Sequence, residues 1–233
     1  MLNKSTYREL KAKVTIKECN EKMLEIPRIF ARFEPHPYQK LGAPYGDRSP
    51  YFLRSNVVTR LEKAQERLTA LKTGCRLKIF DAYRPLAVQR FMINHDTNRV
   101  SKEKYGSSFS TLTLSEQNKV SEIIIHFWSP IGDEIHLNPP PHATGGALDL
   151  TIVDAKGIAL DMGSAIDELV EASDSDYYFN SDTQEQKNRE LLVEVMHYAG
   201  FTQLPTEWWH FSYGDQIWAV DNGRDVALYG VIS

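Results

Sequence analysis

Cysteine is almost missing from this 233-residue chain: Cys19 and Cys75 are its whole supply. Two thiols so far apart rule out a disulfide framework and a cysteine-ligated metal site. Long hydrophobic runs are missing as well. Stretches such as Ile123–Ile125 fall far short of the roughly 20 apolar residues that a membrane-spanning helix needs. There is no basic excess either: Lys and Arg number 27 against 31 Asp and Glu, a net charge of −4. The positive residues are scattered, so the electrostatic footprint of a nucleic-acid binder is absent. The opening stretch MLNKSTYRELKAKVTIKECNEK is charged throughout and carries no apolar segment of signal-peptide length. These absences leave a cytoplasmic protein with neither nucleic acid nor membrane as partner. With 42% hydrophobic residues, the chain can bury one large core, and a single domain over residues 1–233 is expected. Homo-oligomerisation stays open.

Proline is concentrated rather than scarce. Five of the eleven fall between Pro27 and Pro50, which predicts an irregular arm laid over the domain. From Asn56 to Leu71, Val57, Leu61, Ala64, Leu68 and Leu71 recur at helical spacing, and Gly74 stops the run. Arg76–Phe80 alternates as a strand. Pro85 can open a helix to about His95, and a further helix is expected around Ser115–Trp128. Ala147–Val153 and Ile158–Met162 read as strands joined by the turn Asp154–Gly157. Ser181 with Gln184 resembles a capping box for a helix that Gly200 closes. Glu207–Tyr213 is strand-like, and Asp221-Asn222-Gly223 suggests a hairpin turn. Helices and strands mix without a regular βαβ rhythm. The expected class is α+β, with a central, largely antiparallel sheet flanked by helices.

The chemistry gathers around "PPPHATGGALDLTI", residues 139–152. In that strand Leu148, Leu150 and Ile152 point one way, and Asp149 points the other with Ala147 and Thr151. A strand carboxylate faces solvent, pairs with a base, or binds a metal. His142 just before the strand, on a loop stiffened by prolines and turned by Gly145 and Gly146, favours the metal. A second pair, Glu207 and His210 in "PTEWWHFSY", completes a set. His142, Asp149 and His210 would give three ligands with an open fourth position, the pattern of a catalytic zinc site, and Glu207 would be left as a base. Residues 207 and 210 face opposite ways in a regular strand, so the segment after Pro205 must bend, or the strand must begin only around Trp208. His136, on the same loop as His142, competes for the ligand role, whereas His36 and His95 stand alone. Arg84 follows a strand end, where it either serves the site or pairs with Asp81.

Three motifs in order, "DAYRP", "HATGGALDLTI" and "EWWHFSYGDQIWA", together with "DMGSAID", resemble the D-alanyl-D-alanine dipeptidases of the vancomycin-resistance type. The resemblance spans roughly residues 76–219, and the paired spacings His-x6-Asp and Glu-x-x-His make it specific. It implies one Zn²⁺ per chain on His142, Asp149 and His210, Glu207 as general base, and Arg84 stabilising the oxyanion. It also implies Asp167 as the partner of the substrate's ammonium. The implied fold is a compact α+β domain shared with zinc D,D-carboxypeptidases and the hedgehog signalling domain. The implied substrate is a small dipeptide, cleaved in peptidoglycan metabolism. A zinc D,D- or L,D-carboxypeptidase and a non-catalytic zinc-stabilised module are the alternatives. Many relatives carry a serine where this chain has Pro140, so a hydroxyl for the substrate carboxylate is missing there, and Thr144 or a backbone amide is the expected substitute. In the proline-rich arm, Tyr38 and Tyr45 both qualify as substrate contacts.

Overall fold

In a computed structural model describing residues 4–232, the chain opens with helix α1 (Lys4–Lys13) and strands β1 (Thr15–Ile16), β2 (Met23–Glu25) and β3 (Ala31–Arg32). The one-turn helix α2 (Pro37–Lys40), strand β4 (Phe52–Arg54), helix α3 (Ser55–Leu71), strand β5 (Arg76–Asp81) and helices α4 (Leu86–Tyr105) and α5 (Leu114–Phe127) follow. Beyond them lie β6 (Ala147–Val153), α6 (Gln184–Tyr198), β7 (Thr202–Gln203), β8 (His210–Ser212), α7 (Gln216–Asp221) and β9 (Val226–Ala227). The main sheet has the order β3-β5-β6-β8-β7, antiparallel throughout except for the parallel pair β3·β5. The class is α+β, as the interspersed pattern predicts.

Strand β6 sits at the centre of the sheet, and all seven of its residues are buried. Leu148, Leu150 and Ile152 join the core that α3 and α6 cover. Burying such side chains stabilises by about 1.5–3 kcal/mol each, which pins the register and sends Asp149 to the opposite face. A second cluster gathers Val88 and Met92 of α4, Val120 and Ile124 of α5, Tyr38, Phe80 and Trp128. The site lies where these layers meet.

Several elements depart from the sequence reading. The Pro27–Pro50 arm is not wholly irregular, because it contains β3 and α2. Helix α4 runs past His95 to Gly106, whose left-handed φ of 68° ends it, and Pro85 is its N-cap rather than its first residue. Ile158–Met162 forms only a bridge, Val153 to Ala159, instead of a full strand. Thr183, not Ser181, caps α6, accepting from the Gln186 amide. Asp221-Asn222-Gly223 ends α7 rather than turning a hairpin, and β9 pairs with β1 in parallel.

Candidate metal centre and active site

Register brings the candidate residues together. Asp149 on β6 pairs with Asp81 on β5 and with His210 on β8, so three polar side chains form one row across the sheet. His142 arrives from a short 3-10 turn, Pro141–Thr144. Gly145 then takes φ 72°, a left-handed conformation that glycine adopts without a Cβ clash. At Gly146 a Cβ would stand 2.6 Å from the Tyr213 carbonyl oxygen, so only glycine lets the turn press against the strand that carries His210. The expected bend is present as well: residues 205–209 turn and β8 begins at His210, with the His210 amide donating to the Glu207 carbonyl at 3.2 Å.

His142, Asp149 and His210 converge, with one ligand atom from each lying within 4.8 Å of the others. His142 Nε2 is 3.1 Å from His210 Nδ1 and 3.3 Å from Asp149 Oδ2, and His210 Nδ1 is 3.1 Å from Asp149 Oδ1. The outer ring nitrogens settle the tautomers. His142 Nδ1 lies 2.8 Å from the Ala82 carbonyl, which can only accept, so this nitrogen carries the proton. Ser212 Oγ donates to Asp215 Oδ2 at 2.7 Å, so His210 Nε2, 3.2 Å away, donates to Ser212. In their neutral forms both imidazoles therefore aim a lone pair inward, at each other and at a buried carboxylate. That arrangement repels itself unless positive charge sits at its centre. The donor set thus fits a divalent cation such as zinc, with the outer partners orienting each ligand. Burial disfavours ionised Asp149, yet the charge and hydrogen bonds that His142 and His210 supply when protonated hold its carboxyl below the ordinary range.

Arg84 is fixed from several sides. Its Nε and Nη2 donate to Asp81 Oδ2 at 2.8 and 2.7 Å, Nη1 donates to Gln89 Oε1 at 3.0 Å, and Nη2 donates to the Tyr38 hydroxyl at 3.1 Å. The guanidinium packs against the Tyr38 and Trp128 rings and reaches Asp149 Oδ2 at 3.4 Å. Serving the site and pairing with Asp81 are therefore one arrangement. Burial opposes the Asp81 charge, but Arg84 and the neighbouring histidines bring its carboxyl down to about 2. Glu207 Oε2 lies 3.7 Å from His210 Nδ1. Burial and the charges of Asp149 and Asp167 push Glu207 well above the usual carboxylate range; a bound cation acts in the opposite direction. Asp167 takes a left-handed φ of 63° and accepts a 2.6 Å bond from the Tyr38 hydroxyl. Desolvation and the Asp149 charge push it up to about 7. One cavity of about 210 Å³ is lined by Arg84, His142, Asp149, Asp167, Glu207 and His210 together.

The structure also sorts the alternatives. His136 is exposed and stands outside the ligand cluster. His36 does not stand alone: its Nε2 is 3.2 Å from Asp81 Oδ1. Of the two tyrosines, Tyr38 bridges Arg84 and Asp167, while Tyr45 donates to Asp81 from behind. The Thr144 hydroxyl donates to the Pro141 carbonyl and accepts from the Gly146 amide, so it serves the turn rather than the cleft. Ser212 and Asp215 escaped the sequence reading, although Ser212 follows His210 by two positions and so shares its face of the strand. Ser212→Ala is expected to weaken metal affinity by about 10- to 100-fold through loss of the group that orients His210. Competition with a chromophoric chelator measures this, and unchanged affinity would remove Ser212 from the account.

Three inward ligands, a carboxylate beside them and a fixed guanidinium in one cleft define the class: a metal-dependent hydrolase. The family match and the named relatives agree with a hydrolase. A family model described as D-Ala-D-Ala dipeptidase matches residues 31–226. A D-alanyl-D-alanine dipeptidase of Synechocystis sp. is 40% identical over 217 residues, covering 88% of this chain and 87% of that protein. The D-alanyl-D-alanine dipeptidase of Escherichia coli is 30% identical over 162 residues, covering 69% and 65% respectively. A solved LD-carboxypeptidase structure overlaps 89% of this chain and 76% of its own at 14% identity, with a TM-score of 0.46. The chain belongs to the D-Ala-D-Ala dipeptidase family of peptidases.

Proposed function

We propose that the chain acts, as one domain over residues 1–233, as a cytoplasmic zinc dipeptidase that cleaves D-alanyl-D-alanine into two D-alanines, with one ion per chain. The observation that carries this reading is the meeting of His142, Asp149 and His210 with Glu207, Arg84 and Asp167 around one cavity. The family match and the names of the relatives support the substrate. Cys19 and Cys75 are unpaired, which suits a reducing compartment. Among the described residues no helix is long and apolar enough to cross a membrane.

Held by His142, Asp149 and His210, zinc would supply a Lewis acid and bring the pKa of a coordinated water to about 7. Glu207 stands beside the ligands without completing their set, so it accepts the attacking water's proton and passes it to the departing amine. Arg84 sets its fixed positive charge beside the carbonyl oxygen as negative charge develops there. Its clamps on Asp81, Gln89 and Tyr38 mean that little reorganisation is needed when the charge appears. Asp167 pairs with the substrate's free ammonium, and the Tyr38 hydroxyl sets the direction of its carboxylate. An N-acylated or longer peptide leaves Asp167 desolvated and unmatched, which disfavours it.

The test is D-alanine release from D-Ala-D-Ala, L-Ala-L-Ala and N-acetyl-D-Ala-D-Ala by the zinc-loaded protein. The reading predicts strong preference for the first. Preference for the acetylated peptide would indicate a carboxypeptidase, and inertness toward all three would end the dipeptidase reading.

A further inference from the structure

A buried histidine stands behind the arginine of the cleft. His36 is 2% exposed, and the Tyr38, Tyr45 and Tyr51 rings meet it edge to face, their centroids 5.3, 5.4 and 5.4 Å away. Its two ring nitrogens have different partners. Nδ1 accepts from the Tyr38 amide at 3.2 Å and so caps α2, which leaves the proton of the neutral ring on Nε2. Nε2 lies 3.2 Å from Asp81 Oδ1, off the straight line of a hydrogen bond, and sets an N–H dipole against the carboxylate. The Tyr45 hydroxyl donates to the same oxygen at 3.1 Å. The other oxygen, Oδ2, takes Nε and Nη2 of Arg84 at 2.8 and 2.7 Å.

The last torsion of an aspartate is soft, so a carboxylate engaged at one oxygen alone can turn. Asp81 is engaged at both, and its plane sets the plane of the Arg84 fork. We propose that His36 is a positioning residue: by holding Asp81 Oδ1 it fixes the carboxylate that orients the Arg84 guanidinium, an inference that rests on the dipeptidase reading above. A charge aimed in advance at the developing oxyanion needs no reorganisation during the reaction. Gln89 and Tyr38 also hold Arg84, so loss of His36 loosens the guanidinium without freeing it. The two nitrogens of His36 make its two roles separable. Asparagine and serine are favoured caps that keep a partner for the Tyr38 amide and are too short to reach Asp81. Glutamine carries an N–H near the place of Nε2 and gives up the cap.

The experiment measures kcat and KM for D-Ala-D-Ala, zinc affinity and thermal melts in the zinc-loaded wild type, His36→Asn and His36→Gln. His36→Asn is also placed in an Arg84→Lys background. Alone, His36→Asn is expected to lower kcat by about 10-fold, part of the roughly 10²- to 10³-fold that loss of an oxyanion donor costs. KM and zinc affinity are expected to stay within about 2-fold of wild type, because the lost interaction matters in the transition state. His36→Gln is expected to recover most of the kcat while melting lower. Lysine has no fork for Asp81 to orient, so in the Arg84→Lys background His36→Asn is expected to cost less than about 2-fold, the non-additivity of residues that act through one another. His36→Ser replaces His36→Asn in both comparisons should the latter not fold. An unchanged kcat, or the same fold loss with and without Arg84, overturns the proposal while dipeptidase activity itself stands. A wild-type protein that leaves D-Ala-D-Ala intact ends both readings together.

Discussion

Glu207→Gln is expected to lower kcat on D-Ala-D-Ala by about 10²- to 10⁴-fold, the usual worth of a positioned general base, while metal content stays at the wild-type level. The separation of effects follows from position. Glu207 faces His210 at 3.7 Å, whereas His142, Asp149 and His210 make the tighter cluster. Glutamine keeps the shape and loses the ability to take a proton. Stability moves the other way in the metal-free protein. Burial and two nearby carboxylates raise the Glu207 pKa in the fold, so the unfolded chain gives up this proton at lower pH than the folded one. A raised carboxyl costs stability as pH climbs above the ordinary carboxylate range. Glutamine removes that cost, so metal-free Glu207→Gln should melt no lower than wild type at pH 7. Steady-state kinetics, metal analysis and thermal melts read the three quantities. Full activity in this variant would move the base to another residue.

Asp149→Asn is expected to weaken zinc binding by more than about 100-fold, beyond the range associated with groups that only orient a ligand, and to bring hydrolysis to background. Both Asp149 oxygens are in use: Oδ1 faces His210, and Oδ2 faces His142 and Arg84. Asparagine offers one oxygen and puts N–H donors where the other stood. It also removes the negative charge that, with Asp81, lies against the buried guanidinium of Arg84. Equilibrium dialysis against zinc and activity at saturating zinc measure the two effects. Near-normal affinity would mean that the ion sits elsewhere.

Much of this was legible before the fold was known, and the parts that were not share a cause. Strand β6 was readable because its seven residues alternate between core leucines and a polar face, a period the sheet enforces. The convergence of His142, Asp149 and His210 was readable because two short spacings, His-x6-Asp and Glu-x-x-His, carry it. The bend at residues 205–209 followed from parity alone. Partners supplied across long distances were not readable. His36 reaches Asp81 from the proline-rich arm, Gln89 reaches Arg84 from α4, and Lys11 enters the cavity from a helix that looks like an ordinary charged surface segment. Local propensity is silent on such meetings, because tertiary packing alone brings them about. The Asp221–Gly223 turn misled for a related reason: its residues suit a hairpin and a helix end equally, and the packing of α7 against α1 selects the latter.

The most direct measurement is a titration of metal-free protein with zinc, followed by D-alanine release from D-Ala-D-Ala. The account predicts activity that rises to a plateau at one zinc per chain, and no such rise in Asp149→Asn. Full hydrolysis by the metal-free protein, or zinc that binds His142, Asp149 and His210 without evoking hydrolysis, would contradict it.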